Sequence, residues 1–444
     1  TIPFLLFQMK IENNENNETV ENESYRNPSP PPLTDAEKES VTGDLIGNTI
    51  FSQRWVLDVL LKLYKHEEDT IYTSLVENIK NEEKEQGSEH TSDNNERFLK
   101  DDFENDLCQL WDMTANSEVA LFITEHDSKN ILLDALRQTQ SPRLMEICFG
   151  ILGNLFCVKE IGSSLSQDGE MRCEILSYLT VMDALSLVEL TRLLCTCLSC
   201  HSTLLLWVND CCQGKNLEHL LYLLNNTLNV TLLCHVVKNL EIIFDECEDP
   251  LDSFITSEFI DGVIESFDSL NEKGDRVEYL VSMIYLLQIL TTNNKGNEII
   301  SNKKETLLHL FSKYYHLADV KGGCEMTESN RLTIYASILS ILDSLVSEHK
   351  EIVSEKNRKF VQQSVEYFSR YITDELQDEN TNEFQVVVLC FEHLASLLTK
   401  LESGVLNLYK EAVDKLMNAI KSSKFASTFL GYFTKPVLLV EFQS

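Results

Sequence analysis

The stretch that decides the fold is SPRLMEICFGILGNLFCVKEI, residues 141–161. Its apolar residues recur at intervals of three and four, which predicts an α-helix buried over most of its circumference. A side-chain amide, that of Asn154, stands near the end of this run. Because a buried amide needs hydrogen-bond partners, the stretch predicts both a core helix and a polar feature to be explained.

Similar segments recur along the chain in sets of three: a short, a medium and a long one. The long segments are PRLMEICFGILGNLFC, DALSLVELTRLLCTCLSC, VTLLCHVVKNLEIIFDE, RVEYLVSMIYLLQILTTN, RLTIYASILSILDSLVSE and FQVVVLCFEHLASLLTK. The short segments are marked by Glu118, Glu160, Leu204, Leu251, Asn297 and Glu351. Successive markers are 42, 44, 47, 46 and 54 residues apart, and the first four steps fall in the range of about 40–47 residues typical of armadillo and HEAT repeats.

Strand patterns are sparse, and the 444 residues include only 15 Gly and 8 Pro. The sequence therefore predicts an all-α, armadillo/HEAT-like right-handed α-solenoid of about six three-helix repeats, over residues 105–444. The segment that begins LESGVLNLYKEAVDKLMNAI follows the sixth set. We expect it to form a C-terminal capping unit.

The chain before residue 105 divides into three parts. Residues 1–42 are rich in Asn, Glu, Ser and Pro, which predicts a disordered N-terminal arm, and Ser29 before Pro30 is a candidate phosphosite. Residues 43–65 predict an amphipathic helix, capped by Ser52, that packs on the solenoid. Residues 66–104 return to charge and polarity and predict an acidic flexible linker.

Composition limits where the protein works and what it binds. No stretch approaches the ~18 uninterrupted apolar residues of a membrane helix, so we expect no membrane contact. The 13 cysteines lie mostly in apolar helical patterns, which favours reduced thiols in the nucleus or cytoplasm. The net charge of −34 favours basic protein partners and disfavours direct nucleic-acid binding.

Sequence signatures of catalysis are missing from the chain. It contains no phosphate-binding P-loop, no dinucleotide-binding glycine motif, no zinc-protease HExxH and no GxSxG nucleophile motif. Helical solenoids seldom build catalytic pockets. We therefore expect a protein that is not an enzyme and takes no cofactor.

The densest chemical cluster is CTCLSCH, residues 195–201, followed by Cys211 and Cys212. Cys197, Cys200 and Cys211 with His201 resemble zinc ligands by residue type. However, Cys195 and Cys197 lie about 200° apart on a helix, which does not let both thiolates converge on one ion. Buried thiols acting as small apolar side chains are the favoured interpretation, and a zinc site is the alternative.

Polar residues recur near the ends of the long segments. They are Asn154, Thr196, Asn239, Gln288, Ser340 and His393. In armadillo arrays the third helices line the groove, so these residues form a candidate polar ladder that contacts a partner's extended backbone. The alternative is that they are unrelated polar residues on partly exposed helix faces.

Four blocks of the sequence carry a family resemblance: RNPSPPP (26–32), GDLIGNTIFSQRWVLDVLLKL (43–63), LWDMTANSEVALF (110–122) and SPRLMEICFGILGNLFCVKEI (141–161). They resemble the serum amyloid A-like protein family, also called synoviocyte proliferation-associated proteins. The resemblance implies an armadillo-type fold, a nuclear location and an association with promoting cell proliferation. It implies no catalytic residues.

A weaker resemblance, to armadillo-type nuclear-import receptors, fails at a specific position. Those receptors have a tryptophan one turn before the groove asparagine, whereas this chain has Gly150, Arg192 and His235 four residues before the first three ladder residues. We therefore expect a non-enzymatic interaction scaffold, with two alternatives. One is a transport adaptor that binds basic peptides in an acidic groove, and the other is a zinc- or thiol-dependent protein centred on residues 195–212.

Overall fold

The computed structural model describes residues 43–66, 101–247, 251–271, 277–319, 327–348, 358–374, 381–400 and 410–433. Within these ranges nearly all regular structure is α-helical, and no β-strand is present. The predicted all-α solenoid class is therefore confirmed. The predicted arm 1–42 with Ser29, most of the predicted linker and the sixth short segment, 351–357, lie outside the described residues.

The chain divides into two compact units. The N-terminal unit contains the described residues up to 223 together with 227–246, and the C-terminal unit contains 224–226 and the described residues from 247 onward. The helices up to the boundary are α1 (53–66), α2 (Asp101–Met113), α3 (Ser117–Glu125), α4 (Ser128–Gln138), α5 (Pro142–Cys157), α6 (Lys159–Leu165), α7 (Gly169–Ser177), α8 (Ala184–Ser199), α9 (Leu204–Cys212), α10 (Asn216–Asn226) and α11 (Val230–Glu246). Those after it are α12 (Ser257–Asn271), α13 (Val277–Thr292), α14 (Asn294–Asn302), α15 (Lys304–Asp319), α16 (Glu328–Glu348), α17 (Arg358–Asp374), α18 (Asn382–Lys400), α19 (Lys410–Ser422) and α20 (Ala426–Phe433).

These helices follow the predicted sets of three. The sets α3–α5, α6–α8 and α9–α11 are complete, and the set α14–α16 is complete in the C-terminal unit. The third helices are the most deeply buried: in α5, ten residues from Leu144 to Phe156 are buried, among them Phe149 and Leu152 at 0% exposure. Third helices pack against one another, α5 on α8, α8 on α11, α13 on α16 and α16 on α18.

Helix α1 begins at a tightly built hook, residues 43–52. The Ser52 hydroxyl accepts a hydrogen bond from Trp55 N–H at 3.1 Å, and the Asp44 carboxylate accepts one from Arg54 N–H at 3.0 Å. The Ser52 hydroxyl also donates to Asp44, and these hydrogen bonds lower the pKa of the Asp44 carboxyl. Ser52 thus caps α1 as the sequence predicts.

The hook is held against the start of α3. Asn48 N–H donates to the Glu118 carboxylate at 2.7 Å. Gly47 has a φ of 51°, and a Cβ on it would lie 2.8 Å from Glu118 Cδ. Glycine adopts this left-handed backbone without strain and leaves room for the Glu118 carboxylate.

Two helix boundaries differ from the prediction. The fourth short segment, predicted as a helix, is a turn over 252–254, and Ile255 and Thr256 are not helical. The Thr256 hydroxyl accepts a hydrogen bond from Phe259 N–H at 3.1 Å, so this residue caps α12 and the segment before it has no room for a helix. In addition, residues 101–104, which the sequence assigns to the linker, form the first turn of α2. The carboxylates of Asp101, Asp102 and Glu104 interact favourably there with the positive end of the helix dipole.

Among the described residues, no helix combines the length and apolar composition needed to cross a membrane.

Candidate functional site

The third helices of the N-terminal unit form one continuous surface, which we call the third-helix face. It consists of α5, α8 and α11, preceded by α2, which packs on α5. The three helices begin with the same device: the side chains of Ser141, Asp183 and Asn229 each accept a hydrogen bond from the backbone N–H three residues later, at 3.4, 2.7 and 3.0 Å. Shared N-caps fix where each helix starts and so bring equivalent positions side by side.

Two glycines on α5 let the neighbouring helices approach closely. A Cβ on Gly150 would lie less than 3.0 Å from three atoms of the Trp111 indole, which comes from α2. A Cβ on Gly153 would lie 2.8 Å from Arg192 Nη2, which comes from α8. The Trp111 indole and the Arg192 guanidinium therefore take up the space next to Gly150 and Gly153 that side chains at these two positions would need.

Asn154 ties α5 to the end of α2. Its Nδ2 donates to the Trp111 carbonyl and to the Thr114 hydroxyl, both at 3.1 Å. The Trp111 carbonyl also accepts from the Thr114 N–H and hydroxyl, so the amide joins α5 to a hydrogen-bonded turn at the end of α2. The polar residue in the opening stretch is therefore a link between helices, and its side chain stays partly exposed.

The next two links come from the residues that stand where an import receptor has tryptophan. Arg192 Nη2 donates to the Gly150 carbonyl at 3.0 Å. The His235 ring Nδ1 lies 3.1 Å from the Val188 carbonyl of α8. Burial lowers the pKa of His235, so the neutral ring is favoured there. Each third helix thus reaches back to the one before it.

Thr196 and Asn239 differ in how far they are exposed. The Thr196 hydroxyl donates to the Arg192 carbonyl of its own helix at 3.1 Å, and Thr196 is partly exposed. Asn239 is 0% exposed, and its Nδ2 donates to the Thr191 carbonyl at 3.1 Å. A side chain without exposed surface cannot contact a partner, so the predicted groove role of Asn239 is wrong and its role is to join α11 to α8.

The remaining ladder residues lie in the C-terminal unit. Gln288 on α13 is 1% exposed, so the predicted partner contact is wrong for it as well. Ser340 is partly exposed on α16. His393 Nδ1 on α18 lies 2.9 Å from the Asp343 carboxylate of α16, which also accepts from Lys400 Nζ at 2.6 Å. For Asn154, Thr196, Ser340 and His393, partner contact stays a prediction.

Burial and hydrogen bonding act in opposite directions on Asp343. Burial on its own disfavours the carboxylate, but hydrogen bonds from His393, Lys400 and Ser396 outweigh it and lower the pKa of Asp343. The ionised carboxylate therefore joins α16 to α18 through three side chains of α18. This arrangement links repeats in the same way as the polar residues of the third-helix face.

Each third helix of the face carries one ion pair between residues of the same helix. Arg143 Nη1 lies 2.8 Å from Glu146 on α5, Arg192 Nε lies 2.6 Å from Glu189 on α8, and Lys238 Nζ lies 3.0 Å from Glu241 on α11. The two residues of each pair are three positions apart, so their opposite charges lie on the same helix turn and neutralise each other. The acidity of the chain as a whole is therefore not concentrated in these pairs.

The cysteine cluster does not assemble a metal site. Burial raises the pKa of Cys195 to about 12 and raises those of Cys197 and Cys211 well above the ordinary value, so all three are protonated thiols. Cys200 is different: burial opposes its ionisation, but hydrogen bonds from Ser202 and neighbouring hydroxyls lower its pKa. Across the part of the chain that the structure describes, no three His, Cys, Asp or Glu side chains converge as metal ligands.

Sequence reasoning identified Asn154 but not its partner Trp111, and it named Arg192 and His235 only as departures from another family. Their recurrence one turn before successive ladder residues was the available signal. The packing of the Trp111 indole on Gly150 joins residues that lie 39 positions apart. A pattern within one helix does not contain that information.

Residues 217–435 match the family model described as the SAAL1 C-terminal domain. A Danio rerio protein named "Protein saal1" is 31% identical over 289 residues, which cover 62% of this chain and 57% of that protein. "Protein SAAL1" of Mus musculus is 28% identical, with 73% of this chain and 71% of that protein covered. For "Protein SAAL1" of Homo sapiens the identity is 28%, and the coverage is 70% and 67%. This chain therefore spans less than two thirds of the Danio rerio protein.

Two solved structures are similar at a lower level. The crystal structure of an engineered protein gives a TM-score of 0.41 at 12% identity, covering 77% of this chain and 95% of that chain. The crystal structure of Uso1-2 gives a TM-score of 0.42 at 10% identity, covering 79% of this chain and 54% of that chain. Scores this low do not establish a shared fold.

Proposed function

Because the chain belongs to the SAAL1 family, we propose that it is a non-enzymatic scaffold that binds other proteins through its third-helix face. By family resemblance, we further propose that it resides in the nucleus and promotes cell proliferation. Stacked helical repeats expose extended surfaces rather than closed pockets, which is why such arrays usually bind proteins.

The observation that carries the proposal is the way the third-helix face is built. Asn154, Arg192 and His235 each donate to, or lie against, a backbone carbonyl of the preceding helix, at 3.1, 3.0 and 3.1 Å. These side chains are only partly buried, so polar groups are held in fixed positions at a surface. Because they are already ordered, binding a partner costs less side-chain entropy there than on a flexible surface.

The chemistry of the face suits an extended polypeptide backbone. It presents an indole beside Gly150, a guanidinium beside Gly153 and a hydroxyl at Thr196, within three adjacent helices. Such groups donate to and accept from peptide groups without requiring a charged ligand. The net charge of −34 favours a partner that is basic outside this contact.

The two alternative functions have less support. A transport adaptor for basic peptides would need carboxylates available in the groove, and three of the carboxylates on the face, Glu146, Glu189 and Glu241, are already paired with a base on their own helix. A zinc-dependent function would need converging ligands, whereas no three His, Cys, Asp or Glu side chains come together among the described residues. Protein binding as a scaffold is therefore the better supported function.

A steric block on the third-helix face tests the proposal. Thr196→Arg places a long side chain on the face, and Ser164→Arg on α6 adds the same side chain at an exposed position on another helix. After affinity purification at near-physiological salt, we expect specific partners with the wild type and with Ser164→Arg, and at least about tenfold less with Thr196→Arg. Recovery of no specific partner, or equal recovery with both variants, would overturn the proposal.

A further inference from the structure

An apolar surface lies at the edge of the N-terminal unit where second helices pass into third helices. Four side chains form it, and we call it the edge patch: Met182, Leu185, Tyr222 and Leu228. Their exposed fractions are 94%, 53%, 62% and 98%. Met182 and Leu228 are 46 residues apart, which is one repeat, so the same position is apolar and exposed in two consecutive repeats.

The side chains of Met182 and Leu228 do not pack against the helices that follow them. Each precedes an N-cap residue, a position from which an apolar side chain often packs on the residue five places later. Those residues, Leu187 and Leu233, are buried at 5% and 4% exposure. Because Met182 and Leu228 remain almost wholly exposed, they make no such local contact and project from the edge.

The register of α8 and α11 brings the two positions together. The hydrogen bonds from His235 to Val188 and from Asn239 to Thr191 join residues 47 and 48 positions apart. The same offset places Leu228 beside residues 180–181, next to Met182. Since packed helices lie ~8–10 Å apart, the two side chains belong to one surface.

Charged residues are sparse in the segments that carry the edge patch; those beside it in sequence are Asp183 and, one helix turn before Tyr222, the exposed Glu218. Residues 219–237 contain no Asp, Glu, Lys or Arg, and residues 175–188 contain only Asp183, although 24% of the whole chain is charged. Depletion of charge with enrichment of Met and Tyr is typical of the centre of a protein–protein interface. Isolated exposed apolar residues are common, but four of them in neighbouring repeats with so few charges around them are not.

We propose that the edge patch is a docking site for a different protein, which presents an uncharged apolar surface surrounded by basic residues. With roughly 200 Å² for a large side chain, the exposed fractions amount to on the order of 600 Å², close to one side of a small specific interface and too little for an obligate dimer. Two copies of this chain would each carry a net charge of −34 and repel one another. Size and charge together favour a heterologous, basic-rimmed partner over a second copy.

This site lies at the opposite end of the third helices from the polar residues of the third-helix face. It lies at the starts of the third helices, whereas Asn154 and Thr196 lie near their ends. The inference therefore goes beyond the proposed function and can fail or hold independently of it. A partner that depends on the edge patch is insensitive to Thr196→Arg, and a partner of the third-helix face is insensitive to changes at the edge patch.

The experiment uses the full chain with a photo-crosslinking amino acid at position 182, at position 228, or at the control position 205. Leu205 is also an exposed leucine, 49% exposed, but lies on α9. We expect one and the same protein, identified by mass spectrometry, to be captured from positions 182 and 228 and not from 205. Capture of no common protein at these two positions would overturn the proposal.

The captured protein is then purified and titrated against variants. We expect Met182→Glu with Leu228→Glu to raise its Kd at least about tenfold, and Leu205→Glu to leave the Kd unchanged. An unchanged unfolding midpoint shows that the double variant is folded. An unchanged Kd in the double variant would overturn the proposal, as would sedimentation of the wild type as a dimer that the double variant dissociates.

Discussion

The contact between Trp111 and Gly150 gives the sharpest test of how the third-helix face is held together. In Gly150→Ala the new Cβ would lie less than 3.0 Å from the indole, a separation that carbon atoms do not tolerate. Alanine in a helix interior is favoured over glycine by about 1 kcal/mol. Overpacking costs about 1–3 kcal/mol, and the indole is a rigid ring that must move as a whole. Because the whole ring must move, we take the upper end of this cost, about 3 kcal/mol, and expect a net loss of about 2 kcal/mol.

Two other glycines provide a graded control. In Gly153→Ala the Cβ would meet the end of the flexible Arg192 side chain at 2.8 Å, so we expect less than about 1 kcal/mol of destabilisation. In Gly169→Ala the nearest atom is at 3.5 Å, an ordinary contact, so we expect no loss or a gain of a few tenths of a kcal/mol. Steric cost therefore predicts the order Gly150, Gly153, Gly169.

Intrinsic tryptophan fluorescence measures this directly. The three tryptophans, Trp55, Trp111 and Trp207, all lie in the N-terminal unit, so urea unfolding followed by tryptophan emission reports on that unit alone. Because Gly150→Ala alters the surroundings of Trp111, the midpoint and not the amplitude is compared. The double variant Trp111→Leu with Gly150→Ala lacks the indole that the new methyl group meets. Its free energy of unfolding should therefore exceed the value expected from the sum of the two single changes by at least about 1 kcal/mol. Gly150→Ala as stable as Gly169→Ala would refute the packing argument.

Three further predictions follow from buried polar groups. Arg172→Met leaves the Asp210 carboxylate, 2.6 Å away, unpaired and should destabilise the N-terminal unit by about 3–5 kcal/mol in urea unfolding, while adding Asp210→Leu should recover most of it. Because the pKa of Asp343 is lower in the folded protein, its ionised form stabilises the fold above about pH 4, and this contribution is lost as the pH falls through the folded pKa. Hydrogen exchange of α16 and α18 should therefore separate wild type from Asp343→Asn at pH 7, and the difference should shrink progressively as the pH is lowered below about 4. Iodoacetamide should alkylate Cys200 at least about tenfold faster than Cys197, because burial raises the pKa of Cys197 while hydrogen bonds lower that of Cys200; equal rates by mass spectrometry would contradict this.

Local sequence patterns predicted the helices well because each pattern acts within one helix. The long apolar segments became third helices, and Ser52 caps α1 through Trp55 N–H. The fourth short segment was the exception, because Thr256 caps α12 so early that the preceding residues form a turn. The difference between a short helix and a turn is small in free energy, and a single cap decides it.

The role of polar residues could not be read from the same patterns. Asn154 and Asn239 occupy comparable places in their segments, yet the first is partly exposed and the second is 0% exposed. Burial depends on which neighbouring helix covers the position, and that is decided by contacts tens of residues away. For the same reason, sequence patterns did not predict that Met182 and Leu228 are exposed, and only the structure shows it.

The sequence alone determined the class of fold and the order of helices, because helical periodicity, repeat spacing and N-caps are local and recur every 42 to 47 residues. Tertiary structure alone decided what the polar and glycine positions do. Gly150 receives Trp111, Arg192 reaches the Gly150 carbonyl, and His235 reaches the Val188 carbonyl, because packing sets the register between helices that are distant in sequence. Register between helices is fixed by the shape and hydrogen bonding of both partners at once, and no single segment contains both.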